Sequence, residues 1–155
     1  MKKKCLFGSI IFSLGLWFTP LTHAVYENNL LEAALNHDFW HVVDYVKYGA
    51  DINTRDNMGF TALQYASLSG HMNIVSFLIV NGADVNLGND FKYTALHYAI
   101  MNGHKDVAEF LIKYGANINA KGNYGVTPLK LAKSIAKFRK NGTEMVQLLL
   151  NNLCS

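Results

Sequence analysis

Cysteine is nearly missing from this 155-residue chain, which has only Cys5 and Cys154. If the N-terminal segment carrying Cys5 is removed, no intramolecular disulfide can form, and stability has to come from packing. Cys154 is then a free terminal thiol or one half of an intermolecular bond. Long hydrophobic runs are lacking too. The longest, Cys5 to Phe18, spans about 14 residues and falls short of the roughly 20 that cross a bilayer. The chain contains no Gly-rich phosphate loop, no zinc-ligand cluster and no Gly-x-Ser-x-Gly turn. Nothing in the residues therefore supports an enzyme, a cofactor or a metal. Excess charge of one sign is also absent once the first residues are set aside. The whole chain carries 14 − 11 = +3, but three of those charges are Lys2, Lys3 and Lys4, and residues 25–155 balance at 11 − 11 = 0. The nucleic-acid partner that a basic isoelectric point suggests is excluded on that count.

Residues 1–24 have the layout of a cleavable secretory signal. Lys2 to Lys4 precede the short apolar run, and Thr22-His23-Ala24 places small residues at the last and third-last positions. Cleavage is expected after Ala24, with export to the periplasm or beyond and no stable membrane insertion afterwards. An uncleaved anchor is the alternative, and the shortness of the run argues against it. Cys5 stands ahead of the apolar run, too early for a lipidated cleavage-site cysteine.

What is present is a repeat. Thr61, Thr94 and Thr127 each open a run of Thr, Ala or Pro, Leu, then Ala three residues after the Leu, at a step of 33. Gly49-Ala50-Asp51, Gly82-Ala83-Asp84 and Gly115-Ala116-Asn117 keep the same step, each followed two residues on by Asn53, Asn86 or Asn119. A fixed period of this length marks stacked supersecondary units. Leu96, Ala99 and Ile100 fall at helical spacing after Thr94, and Val107, Phe110, Leu111 and Tyr114 do so again after a break, which predicts two short helices per unit. Thr94 stands where an N-cap belongs, and Gly82, Gly103 and Gly115 stand where helices stop. Ala66, Ala99 and Ala132 let neighbouring inner helices approach closely.

These motifs, from about Asn28 to Leu150, resemble the ankyrin repeat. The resemblance implies an all-α solenoid of stacked helix-turn-helix units joined by hairpins, with units of about 25–55, 56–88, 89–121 and 122–155. A helix pair of this kind cannot bury its apolar face alone, so stacking supplies the core. Tyr26 to Asp51 reads as an N-terminal cap, with Leu30, Ala33, Ala34, Val42, Tyr45 and Val46 inward and Glu27, Glu32, Asp38, Asp44 and Lys47 as polar cover.

Several departures from the pattern carry expectations. Lys92 stands where the family's hairpin has a turn glycine, so a retained positive φ there means strain of about 1 kcal/mol. Of the family's His after the Leu, only His97 is kept, with Gln64 and Lys130 in its place elsewhere. The last unit has five extra residues between Thr127 and Met145-Val146, expected to lengthen the inner helix and to end in a turn at Asn141-Gly142. Lys130, Lys133, Lys137, Arg139 and Lys140 make this stretch basic, either as a solvated capping face or as a site for an anionic partner. Asn141-Gly142-Thr143 also fits a glycosylation acceptor, relevant only in a eukaryotic host. A Val at Gly82 or Gly115 is expected to cost at least about 1–2 kcal/mol, and one at Gly142 to cost less. His71 and His104 recur at the unit step and read as helix-start residues, since a metal needs three or four converging ligands.

The function implied by the resemblance is binding of another protein, and with the leader it is expected outside the cytoplasm, by a monomeric chain. An accessory subunit of an exported enzyme and a host-directed effector are the alternatives. By the family's pattern the residues ahead of each Thr are hairpin tips, and here they include Met58 and Phe60, Phe91 and Tyr93, Tyr124 and Val126. Inner-helix residues Leu68, Met101 and Ile135 are expected to line the adjoining groove. These nine form the candidate partner site, on either of two arrangements: the apolar side chains project as anchors, or they fold back onto neighbouring fingers and stiffen them. Charge is uneven, with two basic and eight acidic residues in 25–90 against nine and three in 91–155. That asymmetry either steers a partner or reflects solvated faces.

Overall fold

A computed structural model describes residues 30–137 and 141–153. The expected leader, Asn28, Arg139, Lys140 and Cys154 lie outside the described residues. Among the described residues eight α-helices pair in order: α1 (30–35 of its described part), α2 (Phe39–Lys47), α3 (Ala62–Ser69), α4 (Met72–Val80), α5 (Ala95–Asn102), α6 (Lys105–Lys113), α7 (Pro128–Ala136) and α8 (Asn141–Leu153). Among the described residues there is no strand. The inner helices α3, α5 and α7 pack in sequence, as do the outer helices α2, α4, α6 and α8, and each inner helix packs on its outer partner.

The helix ends follow from local chemistry. Thr61, Thr94 and Thr127 adopt extended N-cap backbones, and Thr61 and Thr127 accept hydrogen bonds from the amides of Gln64 and Lys130. Gly70 and Gly103 end α3 and α5 at φ of 74° and 79°, and Gly82 and Gly115 follow α4 and α6 at 96° and 89°. In this region a side chain meets the backbone, which is why glycine is used. His71 and His104 are the residues at which α4 and α6 start.

The core runs the length of the stack. Leu30, Ala34 and Val42 are fully buried in the first unit, Ala66, Ile74 and Leu78 in the second, Ala99, Val107 and Leu111 in the third, and Ala132 and Leu149 in the fourth. Each large apolar side chain so buried contributes about 1.5–3 kcal/mol. The three alanines on the inner helices are all fully buried, as their role in close approach requires.

Side chains stitch one unit to the next. Asn53 accepts from the Asp84 amide at 2.8 Å, and Asn86 from the Asn117 amide at 2.8 Å, one unit on. His97 Nδ1 accepts from the Thr94 amide, and its Nε2–H donates to the Val126 carbonyl at 3.2 Å. Gln64 does the same work with an amide: its Nε2 donates to the carbonyls of Leu87 and Tyr93. The His-to-Gln exchange therefore preserves a bridge.

The last unit corrects two expectations. The inner helix α7 has nine residues against eight in α3 and α5, so only one of the five extra residues lengthens it. Asn141 and Gly142 do not form a turn. They lie in the first turn of α8, which is already helical four residues ahead of Met145, where α4 and α6 start two ahead of the matching Ile74 and Val107. Gly142 is buried against α7: a Cβ there would sit 2.3 Å from Ala136 Cα and 2.4 Å from its N. Gly142 thus stands where two helix backbones cross closely, against the expectation that replacing it costs less than replacing Gly82 or Gly115.

Candidate interaction surface

Each hairpin finger is closed in the same way. The amides of Asp56, Asn89 and Gly122 donate to the carbonyls of Phe60, Tyr93 and Val126, and a residue with positive φ makes the turn: Gly59 at 77°, Lys92 at 60°, Gly125 at 65°. Lys92 therefore keeps the backbone that its family position requires, strain included. The first two fingers are also held by a side chain at their base. Asp56 Oδ1 accepts from the amides of Met58 and Phe60, and its Oδ2 from the Tyr65 hydroxyl at 2.6 Å. Burial opposes the Asp56 charge, but the hydrogen bonds from Tyr65, Phe60 and Met58 outweigh it and hold the pKa below its ordinary value. Burial and the bond to Asp56 push the Tyr65 phenol up to about 12. Asn89 repeats the arrangement, accepting from Phe91 and Tyr93 and donating to the Tyr98 hydroxyl.

The fingers are joined at their tips. The Asp90 amide donates to the Met58 carbonyl, and the Asn123 amide to the Phe91 carbonyl. This pairing sets Met58, Phe91 and Tyr124, which are one unit step apart, side by side. All three are exposed, by 51%, 41% and 96%.

The residues two places further on behave differently. Phe60 stacks on Tyr65 at 5.0 Å and meets Tyr98 at 5.1 Å, while Tyr93 packs on His97 at 5.1 Å and Tyr98 at 6.1 Å. The Tyr93 ring also occupies the space beside Gly122, 2.3 Å from where a Cβ would be. Val126 is half-buried, its carbonyl engaged by His97. Of the two expected arrangements, each finger thus shows both: the first residue projects and the second folds back. Leu68 and Met101 are half-buried on the inner helices. Ile135 is drawn away from them, packing on the core beside Ala132, Gly142 and Met145 where α7 meets α8.

Three cations accompany the tips. Lys92 and Lys121 are exposed on the second and third fingers, and Lys130 Nζ donates to the Gly125 carbonyl at 3.3 Å. From sequence Lys121 is not a site residue, and Lys130 belongs only to the basic stretch of the last unit, not to the fingers. The only signal available was that Lys130 occupies the position of Gln64 and His97, whose side chains reach the next finger. Among the described residues no group of His, Cys, Asp and Glu is arranged to hold a metal ion, and no helix is long and apolar enough to cross a membrane. His71 and His104 instead serve the turns, bonding to the carbonyls of Leu35 and Leu68 one unit back.

Stacked helix pairs with a row of stitched fingers along one edge define a helical-repeat solenoid. The model of the family described as ankyrin repeats (3 copies) matches residues 30–122 and 80–155, and the chain belongs to that family. Ankyrin repeats generally mediate protein–protein interaction, and the family is typically non-catalytic. Comparison with curated proteins finds no match.

Proposed function

We propose that this chain is a non-catalytic interaction module that acts outside the cytoplasm and holds a protein partner across the tips of its fingers. One observation carries the site: an apolar side chain is exposed at the same place on three successive fingers, in Met58, Phe91 and Tyr124. Scattered exposed apolar residues need no explanation, but recurrence at adjoining positions makes a contiguous strip of the kind that supplies interface anchors. Met101 and Leu68 extend the strip onto the inner helices. Phe60, Tyr93 and Val126 support it from behind.

The location rests on the Lys2–Lys4 and Cys5–Phe18 pattern. Intact-mass measurement on native material is expected to give a chain starting at Val25, and a soluble cytoplasmic species retaining residues 1–24 would refute export. For the site, the combined variant Met58→Ser, Phe91→Ser, Tyr124→Ser is expected to weaken capture of partners from the cell envelope and medium by at least about 2 kcal/mol while its melting temperature stays unchanged. Undiminished capture by the folded variant would remove the tips as the binding surface.

A further inference from the structure

The tip row has a charge as well as a shape, and the charge is one-sided. Two carboxylates lie on the same fingers, and both are already used. Asp56 is saturated by the Met58 and Phe60 amides and the Tyr65 hydroxyl, and Asp90 is paired with Arg55 at 3.2 Å. That pair also spends the one cation of the first finger, since the Arg55 guanidinium donates to the carbonyls of Gly59 and Gly88 as well. Lys92, Lys121 and Lys130 remain, exposed around Phe91 and Tyr124 with no carboxylate in contact among the described residues. The tips therefore run from a neutral end at Met58 to a cationic end at Tyr124.

Of the three described non-glycine residues with positive φ, His37 lies in the first unit and the other two, Lys92 and Tyr124, lie at this end of the tips. Lys92 holds φ at 60° where the equivalent residues of the other fingers are Gly59 and Gly125. Tyr124 holds φ at 55°, although Met58 and Phe91 in its position do not have positive φ, and 96% of it is open to water. Neither side chain buries apolar surface in return. Strain of this kind persists when the surroundings impose it, and it concentrates at binding sites.

We infer that the partner presents an acidic segment bearing apolar side chains, with its carboxylates on Lys92, Lys121 and Lys130 and its apolar groups on Phe91 and Tyr124. This rests on the tip-binding reading above and names the partner's chemistry. Three separated cations beside two exposed apolar side chains fit a protein segment better than a nucleic acid, which calls for a longer basic track.

The test uses the purified protein and short synthetic peptides in which Glu and Asp alternate with Phe and Leu. Controls replace the acids by Lys, or the apolar residues by Ser. The acidic apolar peptide is expected to bind at least about tenfold more tightly than either control, with affinity falling as salt rises. Lys92→Gly is expected to weaken it by about tenfold while raising the melting temperature, a combination that loss of fold cannot produce. Lys121→Gln with Lys130→Gln is expected to weaken it as well. Equal binding of the acidic and basic peptides would overturn the inference, as would unchanged affinity in Lys92→Gly or tighter binding of a single-stranded oligonucleotide. If the Met58, Phe91, Tyr124 variant still loses its captured partner while the lysine variants keep theirs, the tips stand as the site and the acidic partner falls.

Discussion

Replacing Gly142 by Ala opposes two effects that are usually considered apart. Gly142 lies in the first turn of α8 and has no positive φ, so helix propensity alone favours Ala, by at most the roughly 0.8–1 kcal/mol of a helix interior. Packing says the reverse. A Cβ would lie 2.3 Å from Ala136 Cα and 2.9 Å from the Ile135 carbonyl carbon, where carbon contacts settle at about 3.5–4.0 Å. Both neighbours are backbone, so neither can rotate away, and α8 has to move off α7 by about 1 Å or more. Overpacking of this degree costs about 1–3 kcal/mol. Displacing α8 also loosens Met145 and Leu149, 2% and 0% exposed. With the propensity gain set against overpacking and this loosening added, the net cost is expected at about 2 kcal/mol, the middle of the overpacking range. Gly82→Ala makes the opposite case. Its Cβ would meet nothing within 4 Å, and only the left-handed backbone, φ 96°, charges about 1–2 kcal/mol. Urea melts followed by far-UV circular dichroism are expected to rank Gly142→Ala as at least as costly as Gly82→Ala, with the loss appearing as early melting of the last unit. A neutral or stabilising Gly142→Ala would mean that α7 and α8 do not cross as closely as described.

Three further outcomes follow from the side-chain bridges. His97→Gln is expected to cost well under 1 kcal/mol because Gln64 makes the equivalent bridge, whereas His97→Leu removes the bond to the Val126 carbonyl, leaves the Thr94 amide unpaired and is expected to cost about 1–3 kcal/mol in urea melts. Burial lowers the pKa of His97, and burial together with the stacked His37 ring at 4.0 Å lowers that of His71. The unfolded chain thus binds more protons below about pH 6.5, so stability is full above that pH and is lost as the pH falls towards the folded pKa values. Melting temperatures measured across pH 5–8 are expected to show this, less steeply in His97→Gln. Asp56→Asn keeps an acceptor for the finger amides, as Asn89 does, but removes the charge beside Tyr65. The Tyr65 phenol is then expected to titrate below its present value of about 12, read by ultraviolet difference absorbance.

While the positive φ at Lys92 was decided only by the structure, the residues alone determined the period, the all-α class, the inward alanines and the helix caps. Each is decided within one unit, by the spacing of apolar positions or by the conformations a single residue can adopt. The sequence did not reveal which member of each finger pair faces water. Met58 and Phe60, Phe91 and Tyr93 look alike as apolar residues two apart, and the choice is made by Tyr65, Tyr98, His97 and Gly122, whose places relative to each ring exist only once the units have stacked. Gly142 was misread for the same reason. A glycine after an asparagine looks like a turn when only neighbours in sequence are weighed, and it becomes a helix crossing when Ala136 arrives against it. The lysines left uncompensated at the tips were equally hidden, because the pairing of Asp90 with Arg55, 35 residues away, is a consequence of the stack and not of either unit.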